Sequence, residues 1–289
     1  MTGSMTIIRT GPMTVLKDQG RPGHAHLGVA PSGAVDRSAY ARANALVGNQ
    51  AGAAALECTL GGLRVVFDRP AVVVLTGTDA VLDVQGSRAG VEEVVTVPAD
   101  ATVTVTVPRR GLRSYLAVRG GFDVPPVLGS RSTDRIGRIG PAQPASGDVL
   151  PIGSATGPGG AVVPPPEQDD PLEVDLGPRD DWFSAEAVAT LLSAEFTVTP
   201  ASDSVGLRLD GPALKRARTG ELPSEGVVRG SVQVPPDGRP IIFQADHPLT
   251  GGYPVIAVLT PRAADRAAQL RPGAKIRFGP ADRGLTGAD

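Results

Sequence analysis

A mainly β protein built as two tandem barrels or sandwiches, with a few short helices, is what this sequence predicts. Three observations carry that expectation. Short runs rich in Val and Thr recur through both halves, and branched side chains suit a pleated, half-buried surface. The 37 glycines and 28 prolines fall between these runs as turn punctuation. A stretch rich in Gly, Pro and acidic residues divides the 289 residues into two parts, each long enough for its own core.

In the first part, residues 6–9, 64–67, 71–75, 94–97, 102–107 and 114–118 read as strands. Residues 102–107 alternate Thr and Val, the pattern of a strand with one buried face. Residues 36–47 break the β pattern. Ala39, Tyr40, Ala43, Leu46 and Val47 recur at helical spacing, with Asp36 as N-cap and Gly48-Asn49 as stop. Residues 153–170, with Gly157-Pro158-Gly159-Gly160 and Pro164-Pro165-Pro166, read as a semi-rigid linker between lobes spanning 5–152 and 171–289. In the second lobe, residues 172–176, 195–200, 206–209, 230–234, 240–244, 253–259 and 275–278 read as strands. Residues 185–193 and 263–270 read as helices.

Net charge is −2, which gives no electrostatic case for nucleic acid or an anionic membrane. Aromatics are 3% of the chain, so the cores must be aliphatic. One cysteine, Cys58, rules out an internal disulfide and fits a cytoplasmic location. No apolar run is long enough to span a membrane, and the N-terminus lacks the pattern of a secretory signal. Met5 is a second candidate start, which would make residues 1–4 a tag remnant.

The chain has no GxxxxGK[ST] loop, no HExxH and no GxSxG elbow. His24, His26 and His247 make no metal set, and His24 and His26 are expected to share one strand face. Three glycine-rich regions remain. In the region of residues 230–254, two strands joined by a Pro/Asp/Gly turn lead to Thr250-Gly251-Gly252-Tyr253-Pro254, whose glycines can reach positive φ and so point backbone N–H groups at one anion or carbonyl oxygen. There Asp246 reads as a candidate base, and Ser231, Gln233, Gln244 and Thr250 as contacts for a planar urea, lactam or amide. A tight hairpin with capping side chains accounts for the same residues equally well. The second region holds Gly20, Arg21, Gly23, His24, Gly28, Ser32, Gly33 and Asp36, and is followed by Asn44, Gly48, Asn49 and Glu57. A loop entering a helix favours an anion, but Asp36 at that terminus favours a plain N-cap. The third holds Gly120-Gly121 and Gly129-Ser130-Arg131-Ser132-Thr133, where Arg131 suits a carboxylate, although surface arginines are common here.

Taken together, these regions resemble one family. Gly20-Arg21, Gly28-Val29, Ser32-Gly33-Ala34, Asp36, Ala43-Asn44, Val47-Gly48-Asn49 and Leu56-Glu57 are similar to the opening of allophanate hydrolase subunit 2. That family is also known as the C subunit of 5-oxoprolinase and as biotin-dependent carboxyltransferase. Tyr115-Leu116-Ala117-Val118 and residues 127–133 resemble its middle. Ser202-Asp203, Gly206, Arg208-Leu209, Gln233-Val234-Pro235, Asp246 and residues 250–254 resemble its close. The family's Ser-Asp-Arg-Met-Gly reads Ser202-Asp203-Ser204-Val205-Gly206 here.

The resemblance implies two cyclophilin-like β-barrel lobes with an active cleft between them. It implies the B subunit of 5-oxoprolinase (allophanate hydrolase subunit 1) as a partner, with the A subunit completing 5-oxoprolinase. It also implies ATP, bound here or on a partner, and ATP-dependent opening of 5-oxoproline to glutamate. Gln233, Asp246, Thr250 and Tyr253 would orient the lactam. The Gly251 and Gly252 N–H groups would stabilise the oxyanion, and Arg131 or Arg208 would hold the carboxylate. Two other readings stand beside this one. One is a carboxyltransferase for a urea-like substrate. It would take biotin in trans, because Lys17, Lys215 and Lys275 all lack the flanking residues of a biotin carrier. The other is a regulatory module bound to a kinase-inhibitor-like partner.

Overall fold

The structure is a computed structural model and describes residues 3–155, 157–160 and 171–282. Most of the expected linker (residues 156 and 161–170) and residues 1–2 of the expected tag remnant lie outside the described residues. The chain forms two compact units, Met1–Pro165 and Pro166–Asp289.

The first unit runs β1 (Ser4–Arg9), β2 (Met13–Lys17), α1 (Arg37–Leu46), β3 (Ala55–Thr59), β4 (Arg64–Phe67), β5 (Ala71–Thr76), β6 (Leu82–Val84), β7 (Ser87–Arg88), β8 (Val95–Val97), β9 (Thr102–Val105), β10 (Arg113–Val118) and β11 (Val149–Pro151). The strands form a six-stranded sheet, β11-β1-β4-β9-β6-β7, and a five-stranded sheet, β2-β3-β10-β5-β8. Met5, Ile7, Val65, Phe67, Val103 and Val105 of the first sheet share one core with Leu56, Cys58, Val73, Leu75, Leu116 and Val118 of the second. Along β9 the burial alternates as the Thr/Val pattern requires.

Strand β10 is buried along its whole length, because it is covered on both faces. Leu116 and Val118 enter the core between the sheets. Tyr115 and Ala117 instead meet Ala39, Tyr40 and Ala43 of α1 on the outer face. The rings of Tyr40 and Tyr115 pack edge to face, 6.4 Å apart. Asp36 caps α1 as its sequence position predicts, accepting the Ala39 N–H at 2.9 Å.

The second unit contains β12 (Leu172–Leu176), α2 (Ala185–Ser193), β13 (Glu195–Val198), β14 (Gly206–Asp210), β15 (Glu225–Gly226), β16 (Ser231–Gln233), β17 (Ile241–Phe243), β18 (Thr250–Gly251), β19 (Val255–Leu259), α3 (Pro261–Ala267) and β20 (Lys275–Pro280). Seven strands close a barrel in the order β12-β19-β16-β17-β14-β13-β20. The parallel pairing of β12 with β20, Leu172 opposite Phe278, completes the ring. Closure leaves these strands no free edge. Val174, Phe196, Leu207, Val232, Ile242, Ile256 and Phe278 fill the interior, and α2 and α3 add Leu191 and Ala264. Ser184 and Thr260 cap those helices. The Thr260-Pro261 start places α3 two residues earlier than its apolar spacing predicts.

Candidate functional site

In the first unit the candidate residues form a buried polar framework. Gly20 has φ +83°, and an ideal β-carbon on it would overlap the Pro31 carbonyl. That close approach lets Arg21 N–H bond Pro31 O at 2.8 Å and close the loop. The Arg21 side chain is 1% exposed and reaches the carbonyls of Val127 and Ser132. Ser32, also at positive φ, meets Lys17 Nζ at 3.3 Å. Gly33 N–H bonds Ser132 Oγ at 3.2 Å. Asp18 accepts from Gly20 N, Ser130 Oγ and Arg131 N.

A second buried chain runs from sheet to helix. Asp36 N–H donates to Tyr115 Oη at 2.7 Å, and Tyr115 Oη donates to Glu57 Oε2 at 2.7 Å. Glu57 also receives Val35 N–H at 3.1 Å and faces Arg113 at 3.8 Å. Burial first, and then the charges of Glu57 and Asp36, push the Tyr115 phenol well above its usual pKa. Asn44 bonds Ala53 O and Asn49, and Asn49 holds Val118 O and Gly120 N–H. These interactions give Asp36, Asn44 and Glu57 structural work.

One expectation for this unit needs correction. His24 and His26 share no strand: residues 25–27 are a 3₁₀ turn, with His24 preceding it. The Arg131 guanidinium is engaged by Asp123 at 2.7 Å and by Val124 O at 2.6 Å. It borders a cavity of about 270 Å³ with Asn49, Gly120 and Gly121.

The second unit holds a larger cavity, about 840 Å³, opening beside β14, β16 and β17. Three candidate residues line it: Arg208, Gln233 and Tyr253. Strand alternation explains the floor. Ile241 and Phe243 face the cavity while Ile242, between them, enters the barrel core. Arg208 is exposed, and its guanidinium makes no hydrogen bond or ion pair among the described residues. The other lining arginine, Arg239, is paired with Asp210. Gln233 is 5% exposed, and its Nε2 donates to Tyr253 O at 3.0 Å.

The remaining candidates do not line this cavity. Ser231 Oγ accepts Val228 N–H at 3.2 Å. Gln244, Asp246 and His247 are buried on the turn after β17, whose neighbours Phe243 and Pro248 form part of the cavity wall. Asp246 N–H bonds Ser204 O at 2.9 Å. Gly251 and Gly252 do not use the positive φ open to glycine. Instead, Thr250–Gly251 pairs as a short strand with Glu225–Gly226, because extended backbone satisfies the ladder there. Gly251 packs against the Gln233 amide.

Sequence reasoning misses Lys17, Asp18, Ser130 and Ser132, although the two serines flank the candidate Arg131. It also misses Arg216, whose guanidinium lies 5.8 Å from the Tyr253 ring centroid.

Residues 27–280 match the family model described as the carboxyltransferase domain, subdomain A and B. The chain belongs to this family. The resemblance read from residues 20–57, 115–133 and 202–254 is thereby borne out. This carboxyltransferase-family chain is 36% identical over 291 residues to the C subunit of 5-oxoprolinase from Escherichia coli (strain K12), covering 95% of this chain and 90% of that one. It is 30% identical to urea amidolyase of Saccharomyces cerevisiae over 96% of this chain, but spans only 16% of that protein. The solved K. lactis urea amidolyase superposes with a TM-score of 0.90 at 28% identity, over 98% of this chain and 19% of that one. No helix among the described residues is long and apolar enough to cross a membrane.

Proposed function

We propose that this chain is the C-type member of an ATP-dependent 5-oxoprolinase, acting with the A and B subunits to open 5-oxoproline to glutamate. One observation carries the reading: the similarity to the C subunit of 5-oxoprolinase covers 95% of this chain and 90% of that protein. The likeness is thus to nearly the whole of that subunit.

The 840 Å³ cavity of the second unit has the chemistry such a substrate needs. The exposed Arg208 guanidinium offers a bidentate partner to the carboxylate. Gln233 supplies amide polarity, Tyr253 a phenol, and Phe243 with Ile241 a dry floor for the ring. A lactam is resonance-stabilised, so water attacks it slowly. Phosphorylation of its carbonyl oxygen by ATP, held here or on a partner, makes that oxygen a leaving group. Water then adds at the carbon and the C–N bond breaks, freeing the amine and leaving an acyl phosphate. A second water displaces phosphate from it to give glutamate, with ADP released from the first step. The first unit contributes a rigid framework.

Reconstitution tests this reading. The A and B subunits mixed with this chain are expected to form glutamate from 5-oxoproline only when ATP is added, and the chain alone to be inactive. Turnover by the isolated chain would overturn its placement within a complex.

The urea amidolyase likeness favours a second reading, transfer of a carboxyl group from biotin carried on another protein to a urea-like nitrogen. Capture of a biotinylated carrier on streptavidin with this chain, together with urea-dependent turnover, would select it.

A further inference from the structure

We infer that Arg216, outside the cavity lining, is a positioning residue that fixes Gln233 and Tyr253 as one unit. This inference rests on the proposed substrate cavity, because it explains how two of its walls are held.

Gln233 ends β16, Tyr253 lies twenty residues on in the bend between β18 and β19, and the two meet through the bond from Gln233 Nε2 to Tyr253 O. That bond alone leaves the Tyr253 ring, 43% exposed, free to turn. Arg216 closes the arrangement from behind. Its Nη2 donates to Val234 O at 2.6 Å, one residue past Gln233. Its guanidinium carbon sits 5.8 Å from the Tyr253 ring centroid, within the range of cation–π attraction. The two arms are already laced together by Val234 N–H on Pro254 O at 3.0 Å. One cation therefore grips the chain after Gln233 and the ring of Tyr253 across the bond that joins them.

Arg216 is itself anchored. It forms a bridge with Phe183, and Ala217 N–H bonds Trp182 O at 2.8 Å. A guanidinium suits the position because it can donate in its plane to a carbonyl while presenting its face to a ring. An ammonium is a point charge and cannot do both. The outcome is a preset amide and phenol at the cavity wall, and preset groups lose less freedom when substrate binds.

The test uses the full chain and two readouts. The side-chain amide resonances of Gln233, assigned by their loss in Gln233→Ala, report the clamp without any substrate. Arg216→Met is expected to speed their proton exchange about tenfold, and Arg216→Lys to restore only part of the protection. In the reconstituted complex, Arg216→Met and Gln233→Ala should each lower kcat/KM. The double variant should fall no more than about twofold below the worse single, because both act through one unit. Should Arg216→Met fail to fold, Tyr253→Leu, at a half-exposed position, removes the ring and is expected to raise the same exchange rate. An unchanged Gln233 amide in folded Arg216→Met, or additive losses in the double variant, would overturn the inference. A wild-type complex inactive on 5-oxoproline would instead overturn the proposed function and leave the amide exchange to decide the clamp.

Discussion

Gly251 stands directly behind the amide of Gln233: an ideal β-carbon on Gly251 would overlap Gln233 Nε2. The glycine is needed there for space, since its φ is one that any residue adopts. Gly251→Ala is therefore expected to displace the Gln233 amide from Tyr253 O and lower kcat/KM of the complex about tenfold or more. The fold should survive, because position 251 lies in a two-residue strand outside the barrel. Steady-state kinetics alongside a thermal melt check both halves, and unchanged kinetics would refute the packing argument.

Tyr115 links Asp36 to Glu57 inside the first unit. Tyr115→Phe leaves a buried N–H and a buried carboxylate oxygen each short of one partner. A loss of about 2 kcal/mol is expected, read as a lower urea midpoint at constant m-value. KM for 5-oxoproline should not change. A KM effect without a stability effect would return Asp36 and Glu57 to the substrate role that their sequence context suggests.

Three buried groups make the first unit sensitive to alkali. Burial pushes the Cys58 thiol from 9.0 to about 12 and raises the phenols of Tyr40 and Tyr115 above 10.0. Each folded pKa is raised, so the unfolded chain loses its proton first. Stability is thus fully present below about pH 9 and falls as pH rises toward 12, by about 1.4 kcal/mol per pH unit for each group titrating. Urea titrations at pH 8 and pH 10.5 measure the difference. A thiol reagent at pH 8 should label Cys58 about a hundredfold slower than a free thiol, and rapid labelling of native protein would contradict its burial.

Local chemistry makes some of this architecture legible and hides the rest. Helix α1 is readable because Asp36, the apolar spacing and Gly48 agree. The strand spanning residues 102–105 is readable because one face is wet. Strands Met13–Lys17 and Ala55–Thr59 are not, because their buried Thr14, Lys17 and Glu57 interrupt the apolar pattern while finding partners far along the chain. The parallel closure of Leu172–Leu176 on Lys275–Pro280 depends on residues about a hundred positions apart. At the candidate site, Gln233, Tyr253 and Arg208 stand out by residue type and motif. Arg216 does not, because its role exists only through contacts with Val234 and Tyr253. The backbone of Gly251 and Gly252 escapes sequence reasoning because glycine permits positive φ without requiring it.

The most direct measurement of the central claim, that 5-oxoproline sits in the cavity bordered by Arg208, Gln233 and Tyr253, is the KM of the reconstituted complex carrying Arg208→Gln. Arg208 is exposed and makes no ion pair among the described residues, so stability should not change. Loss of a charge-assisted contact to the substrate carboxylate is expected to raise KM about 10- to 100-fold. Unaltered KM for 5-oxoproline in a folded Arg208→Gln complex would place the substrate elsewhere and contradict the account.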